Sequence, residues 1–362
     1  MRQKIRIAGE DIHLMMTFQV FAAGLAGGLA ARVIGVPLPM LLGSVVAVGA
    51  LSVFGYRPGG QPPKVPVWLR MFFIPIIGLS IGSAITPDVL REARAWWPSL
   101  LALVLFIPIA HFMGYKVLRR VGRLSPVTAY YSAVPGGFIE CIAMGEEAGA
   151  NVPMLTALQF LRLILTVMLV PLAFTLLSGA AVGSAAGVEM APPGGVLDAP
   201  EIFWQVVIGA IGFFAGRRLK FPAYMITGPI LASGLAHLTG LLQAAPPRQL
   251  IDVTQLVIGV ALGTRFVGMA VGTVVRAMGL ATLNIALTMV LAIALGLLLH
   301  QVVGEQVEAV VLAFAPGGLA EMSLVALSLH VSALYVTAHH ILRIMLAVTF
   351  AKMFAHLIVP RD

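Results

Sequence analysis

Ala133-Val134-Pro135-Gly136-Gly137-Phe138-Ile139-Glu140 returns 181 residues later as Phe314-Ala315-Pro316-Gly317-Gly318-Leu319-Ala320-Glu321. Outward from this stretch, Thr156 returns as Thr337, Gln159 as His340 and Arg162 as Arg343 at the same spacing. Upstream, Ile77-Gly78-Leu79-Ser80-Ile81-Gly82 returns as Ile258-Gly259-Val260-Ala261-Leu262-Gly263, and Pro37, Met40 and Gly43 return as Pro222, Met225 and Gly228 at a spacing of 185. Matches that keep their order over four blocks make the chain one unit written twice. The reading is a first repeat at 1–178, a Gly-, Ala- and Pro-rich linker at 179–201, and a second repeat at 202–362.

Apolar residues make up 59% of the chain and charged residues 10%, where a soluble domain carries roughly 25% charged residues. The stretches between Arg32 and Arg57, Lys220 and Arg248, and Arg276 and Glu305 hold 24, 27 and 28 residues without a charge. Each can cross a hydrocarbon core, which takes roughly 20 helical residues. The chain therefore reads as an all-α polytopic membrane protein, since backbone amides in lipid must be satisfied within each segment. Continuous rather than alternating apolarity excludes a transmembrane barrel. Apolar segments are predicted at about 14–35, 38–55, 67–86, 96–118, 126–145 and 152–178, and again at 203–219, 223–243, 250–268, 277–300, 307–329 and 333–359. Not all of them need be full crossings, so each repeat is expected to hold about five transmembrane helices, or six.

The net charge of +8 sits in short clusters that flank the apolar runs, which is the positive-inside pattern and not a nucleic-acid stripe. Lys116, Arg119, Arg120 and Arg123 follow the fourth segment of the first half, where the second half has only Glu305 and Glu308. Conversely, Arg32 stands alone where the second half has Arg217, Arg218 and Lys220. Clusters that swap in this way predict halves of opposite orientation, which requires five crossings per half, or six with a crossing linker. The polar N-terminus, with Arg2, Lys4, Arg6, Glu10 and Asp11, fits no cleavable signal peptide.

Within Pro135-Gly136-Gly137 and Pro316-Gly317-Gly318, proline removes a donor and the glycines permit unwinding, so each should break a helix inside the membrane and start another. Free amides at the new N-terminus suit anions, and the carbonyls left on the other side suit cations. A plain packing kink is the alternative; duplication with an acid attached favours a site. Glu140 and Glu321 fall one turn into the new half-helices, where a carboxylate costs about 2.5–3.5 kcal/mol. Arg162 and Arg343 in the next apolar segments are the obvious partners. Two roles remain open: a static Glu–Arg clamp within each repeat, or an arginine that receives an anionic solute group while the glutamate exchanges protons or ligates a cation. Gln159 and His340 fall at equivalent depths beside the arginines. Asn284, Thr156, Thr337, His339, Ser80, Thr264 and Arg265 are also polar in apolar context, and interhelical hydrogen bonding is the simpler reading of each.

No catalytic residue, metal site or cofactor is expected. The chain has one cysteine, Cys141, no His-x-x-x-His and no Walker loop, and adjacent His339 and His340 point about 100° apart on a helix.

The blocks Val36-Pro37-Leu38-Pro39-Met40-Leu41-Leu42-Gly43 and Phe221-Pro222-Ala223-Tyr224-Met225-Ile226-Thr227-Gly228, with the two Pro-Gly-Gly-x-x-Glu motifs, resemble the duplicated AbrB family of bacterial membrane proteins over nearly the whole chain. That family is labelled an ammonia monooxygenase or a regulator of gene expression. Its fold is similar to that of the cation/proton antiporter and anion transporter superfamily. The resemblance carries no catalytic motif onto these residues. It implies a multi-pass protein of the bacterial inner membrane.

The expected function is a secondary transporter of a small ionic or polar solute, coupled to a proton or cation at paired broken helices near the midplane. The alternative is a membrane-embedded regulator or sensor acting through a partner protein. An enzyme, and a copper monooxygenase in particular, is not expected, since its metal would lack clustered ligands. Expected partners are the lipid bilayer and the solute, not nucleic acid, with a homodimer left open.

Overall fold

The structure, a computed structural model, describes residues 4–7, 10–36, 38–57, 60–178, 198–221 and 224–358. Pro37, Pro222 and linker positions 179–197 lie outside these. A two-stranded antiparallel hairpin, β1 Lys4–Ile7 and β2 Glu10–His13, opens the chain. The first repeat then forms α1 Leu14–Val33, α2 Pro39–Val53, α3 Val67–Gly82, a short α4 Pro87–Glu92, α5 Trp97–Arg120, α6 Pro126–Ala133, α7 Phe138–Glu147 and α8 Val152–Ser178. The second forms α9 Ala199–Arg218, α10 Tyr224–Leu238, α11 Arg248–Gly263, α12 Val271–Val303, α13 Val307–Phe314, α14 Leu319–Ser328 and α15 Ala333–Phe354.

The duplication read from the sequence recurs element by element. Helices α1 and α9 both have 20 residues, α2 and α10 have 15, α3 and α11 have 16, α6 and α13 have 8, and α7 and α14 have 10. Among the described residues, α1, α5, α8, α9, α12 and α15 contain stretches long and apolar enough to cross a bilayer. The protein is an all-α multi-pass membrane protein. With each broken pair counted once and α4 left aside, a half contributes six helical elements.

Local chemistry fixes where the helices begin. Proline occupies the first turn of α2, α5, α6 and α9, where its missing N–H has no intrahelical partner to lose. Asp198 caps α9 by accepting from the Glu201 amide at 2.9 Å. This cap draws 199–201, the last positions of the expected linker, into the first turn of α9. Arg265, a candidate for a helix end, lies in the 3₁₀ turn Thr264–Phe266 directly after α11.

The halves at 1–178 and 202–362 are repeats of sequence but not compact units. One compact unit contains the hairpin, α1–α3, the end of α8 and α9–α11; the other contains α4–α7, α8 to Leu169, α12, α13, most of α14, and α15. Each unit draws on both halves. In the first, α2 packs on α11 and α10 on α3, so the repeats exchange equivalent partners. The exchange rests on glycine: a Cβ built on Gly78 would lie 2.6 Å from the Ile226 carbonyl oxygen, and one on its counterpart Gly259 would lie 2.5 Å from the Leu41 carbonyl oxygen. Only a residue without a Cβ lets the backbones approach so closely.

In the second unit, the turn between α12 and α13 carries Glu305, half-buried outside the spanning segments. Partial burial, and then the charge of Glu92, pushes its carboxyl above the ordinary carboxylate range. The folded protein thus binds more protons than the unfolded chain between the ordinary and the raised value, and stability falls as pH rises through that window. Thermal unfolding of detergent-solubilised protein across mildly acidic pH should show this decline. The Glu305→Gln variant should show a flatter profile and a higher melting temperature above the window. Equal slopes in both proteins would defeat the assignment.

Candidate functional site

Both Pro-Gly-Gly motifs break helices, as expected, and both breaks lie in the second unit. Helix α6 ends at Ala133 and α7 begins at Phe138; α13 ends at Phe314 and α14 begins at Leu319. Val134 and Ala315, the residues at the broken ends, have extended backbone with ψ of 123° and 139°, so neither helix can continue. Gly137 takes φ 65°, ψ 54° as the first cap of α7, a left-handed conformation that glycine adopts without penalty.

The residues paired by sequence, Gln159 with His340 and Arg162 with Arg343, do equivalent work. Gln159 Nε2 donates to the Tyr131 carbonyl at 2.7 Å, and to those of Val134 at 3.3 Å and Ser132 at 3.4 Å. His340 Nε2 meets the Leu312 carbonyl at 2.9 Å. Since a carbonyl only accepts, Nε2 carries the proton and Nδ1 is left to accept from Arg343 Nη2 at 3.4 Å. Arg162 Nη1 donates to the Val134 carbonyl, and Arg343 Nη1 to the Ala315 carbonyl. All four bonds, from Gln159 to Tyr131, Arg162 to Val134, His340 to Leu312 and Arg343 to Ala315, reach back 28 residues. Arg343 Nη2 adds a bond to the Gly317 carbonyl at 2.5 Å.

The expected Glu–Arg partnership is not what forms. Among the described residues, neither glutamate makes an ion pair with either arginine; the salt bridge within hydrogen-bonding distance is Arg32–Asp252 at 2.5 Å, between α1 and α11. Each acid instead turns back over its own half-helix. Glu140 and Glu321 are the third residues of α7 and α14, the position from which a carboxylate can satisfy first-turn amides. A Cβ on Gly318 would collide with the Glu321 carboxylate, and Glu140 Oε2 lies 3.5 Å from where a Cβ on Gly137 would stand. The physical reason is the helix dipole: arginine goes to the carbonyl end of one half-helix and glutamate to the amide end of the next.

The two copies are not identical. Glu321 is 8% exposed, whereas Glu140 is exposed. Arg162 and Arg343 are 7% and 3% exposed, and the Nε of each is buried without a partner. The breaks converge on α15. A Cβ on Gly136 would lie 3.1 Å from Ala347 and 3.5 Å from the Arg343 carbonyl oxygen, while the Arg343 side chain reaches the second break.

Several contacts were not anticipated. Cys141 Sγ donates to the Gly136 carbonyl at 3.3 Å, and Ser323 and Thr337 hydroxyls meet at 2.7 Å. His339 bonds the Tyr335 carbonyl at 2.8 Å and Ser99 Oγ at 2.9 Å, with its ring 5.9 Å from that of Phe314 at the end of α13. Asn284 fills the space beside Gly114, whose added Cβ would lie 2.6 Å from Asn284 Oδ1. Thr337 makes the interhelical hydrogen bond expected of it. Cys141 and His339 are adjacent in sequence to the candidate site residues Glu140 and His340, whereas Ser99 carried no signal.

Among curated proteins, this chain is similar to "Uncharacterized protein YhjN" of Bacillus subtilis (strain 168), 25% identical over 367 residues that cover 96% of this chain and 94% of the relative. It is also similar to "Putative regulator AbrB" of Escherichia coli (strain K12), 25% identical over 235 residues that cover 64% of each. The family model described as "Transition state regulatory protein AbrB" matches residues 40–359, a span that contains both breaks and both arginines, and the chain therefore belongs to the AbrB family.

Proposed function

We propose that this protein is a secondary transporter of the bacterial inner membrane, moving a small ionic or polar solute coupled to a proton or cation. The observation that carries the proposal is the convergence of two broken helices, one from each repeat, on a single stretch of α15 with two arginines buried beside them. Irregular backbone at membrane depth is tolerated only where it is buried in protein or lines a wet cavity, and broken helices from repeated halves are the usual place for a solute. The unpartnered Nε–H of Arg162 and Arg343 makes small anions, carboxylates first, the leading solutes. No enzymatic step is proposed.

The test is a thermal-shift screen of purified protein against small carboxylates, amines and inorganic ions. A ligand at one hundred times its Kd stabilises by about 2.7 kcal/mol, so a carboxylate should raise the melting temperature measurably, and proteoliposomes should accumulate it. No shift and no uptake with any class would end the transporter proposal. A regulatory role is the second reading, favoured by the printed names of the family and of the Escherichia coli relative. It expects a soluble partner that co-purifies with the full chain.

A further inference from the structure

We infer that the carbonyl ends of both broken helices are cation sites permanently filled by the chain's own guanidinium groups, so that neither break holds a dissociable alkali cation. A helix that stops at membrane depth leaves its last carbonyls without intrahelical donors, and the summed dipole puts partial negative charge there. An alkali ion or a tethered cation can meet that charge. Here Arg162 occupies the end of α6 through the Val134 carbonyl, and Arg343 the end of α13 through the Ala315 and Gly317 carbonyls.

Three features make this more than an incidental contact. It occurs twice, over the same 28-residue reach, in halves that otherwise share few letters. The neighbouring carbonyls are taken as well, those of Tyr131 and Ser132 by Gln159 and that of Leu312 by His340. A metal ion needs several oxygens at once, and these oxygens already accept from fixed donors. Finally, a free cation entering beside Arg162 or Arg343 would meet a full positive charge with no carboxylate paired to it among the described residues.

The consequence for coupling rests on the transporter proposal: a cycle run by this protein would draw on protons or on the solute's own charge and not on sodium at the breaks. The occupancy of the breaks does not depend on that proposal. Its test therefore needs no solute, and either claim can fail alone.

Purified full-length protein is melted in choline chloride, and then with part of the choline replaced at constant ionic strength by sodium or by guanidinium at low, non-denaturing concentration. The wild type should melt at the same temperature in choline and sodium. Arg343→Ala should melt lower, and guanidinium or methylguanidinium should restore most of the lost temperature where choline does not. If Arg343→Ala does not yield folded protein, Arg162→Ala carries the same test at the Val134 carbonyl. Sodium-specific stabilisation of the wild type would overturn the inference. So would equal melting of the arginine variant in guanidinium and choline.

Discussion

Replacing Gly228 with valine is expected to lower the unfolding free energy by about 3 kcal/mol, the upper end of what overpacking costs. Gly212 of α9 and Gly228 of α10 meet backbone to backbone: a Cβ on Gly212 would lie 2.7 Å from the Gly228 carbonyl oxygen and from Pro229 Cα, and a Cβ on Gly228 would collide with the Gly212 carbonyl. The obstacle is main chain, which cannot rotate aside as a side chain can. The helices must therefore separate, and apolar contacts along α9 and α10 open with them. Gly27 and Gly43 make the equivalent contact between α1 and α2, so Gly43→Val should cost a similar amount. Gly212→Ala combined with Gly228→Ala should cost less than the sum of the two, because one separation relieves both clashes. Gly279→Ala is the control. That position in α12 has open space around it, and removing a helix-interior glycine there should stabilise by about 0.5–1 kcal/mol. Unfolding in mixed detergent micelles gives all of these values, the two single alanine variants included. A Gly228→Val protein as stable as wild type would show that the close approach is not obligatory.

These glycines also mark how far the sequence could be read. In the sequence, Gly24-x-x-Gly27 and Gly209-x-x-Gly212 read as ordinary helix-packing faces, which leaves the partner of each glycine open. Gly27 and Gly212 meet glycines of the next helix in their own half, while Gly24 faces Val260 of the other half and Gly209 faces Leu79. Letters report that a face is small; they do not report which of several small faces it meets. For the same reason the duplication was plain in the text while the mixing of both halves into each compact unit was not. Every helix looked equally apolar, and exchanging α3 for α11 beside α2 leaves the composition of the contact unchanged.

At the breaks, Pro-Gly-Gly told where helices stop, but the acid three places into the next one read as a partner for arginine and not as a group turned back on its own helix start. Pairing Arg162 with Glu140 failed because a sequence shows charged side chains and not the partial charges of backbone ends. In a helix that stops inside a membrane, those backbone ends compete for the same cation. The matched distances from Arg162 back to Val134 and from Arg343 back to Ala315 were in the sequence throughout, but carry meaning only once a broken end is known to be there.

Arg162 and Arg343 should show a sign of coupling that an ion-pair clamp cannot produce. Arg343→Met leaves the Ala315 and Gly317 carbonyls without their arginine donors, at about 1–3 kcal/mol for each buried group left unsatisfied. Arg162→Met should cost less, because Gln159 still donates to the Val134 carbonyl. Each single replacement also removes one of two buried like charges at breaks that converge on α15, and so relieves their mutual Coulomb repulsion. That relief is counted in both singles but can be had only once. The double variant should therefore be destabilised by more than the sum of the singles, by about 0.5 kcal/mol or more. An ion pair gives the opposite sign: losing either partner alone costs about 3–5 kcal/mol, and losing both together is close to neutral. Glu140→Gln with Arg162→Met should follow neither pattern and add to within about 0.5 kcal/mol, since the two side chains form no ion pair. Unfolding free energies for the two cycles decide the matter. A Glu140/Arg162 double variant markedly more stable than additivity allows would restore the clamp, and an Arg162/Arg343 double variant milder than the sum would mean that the two guanidiniums do not oppose one another at the breaks.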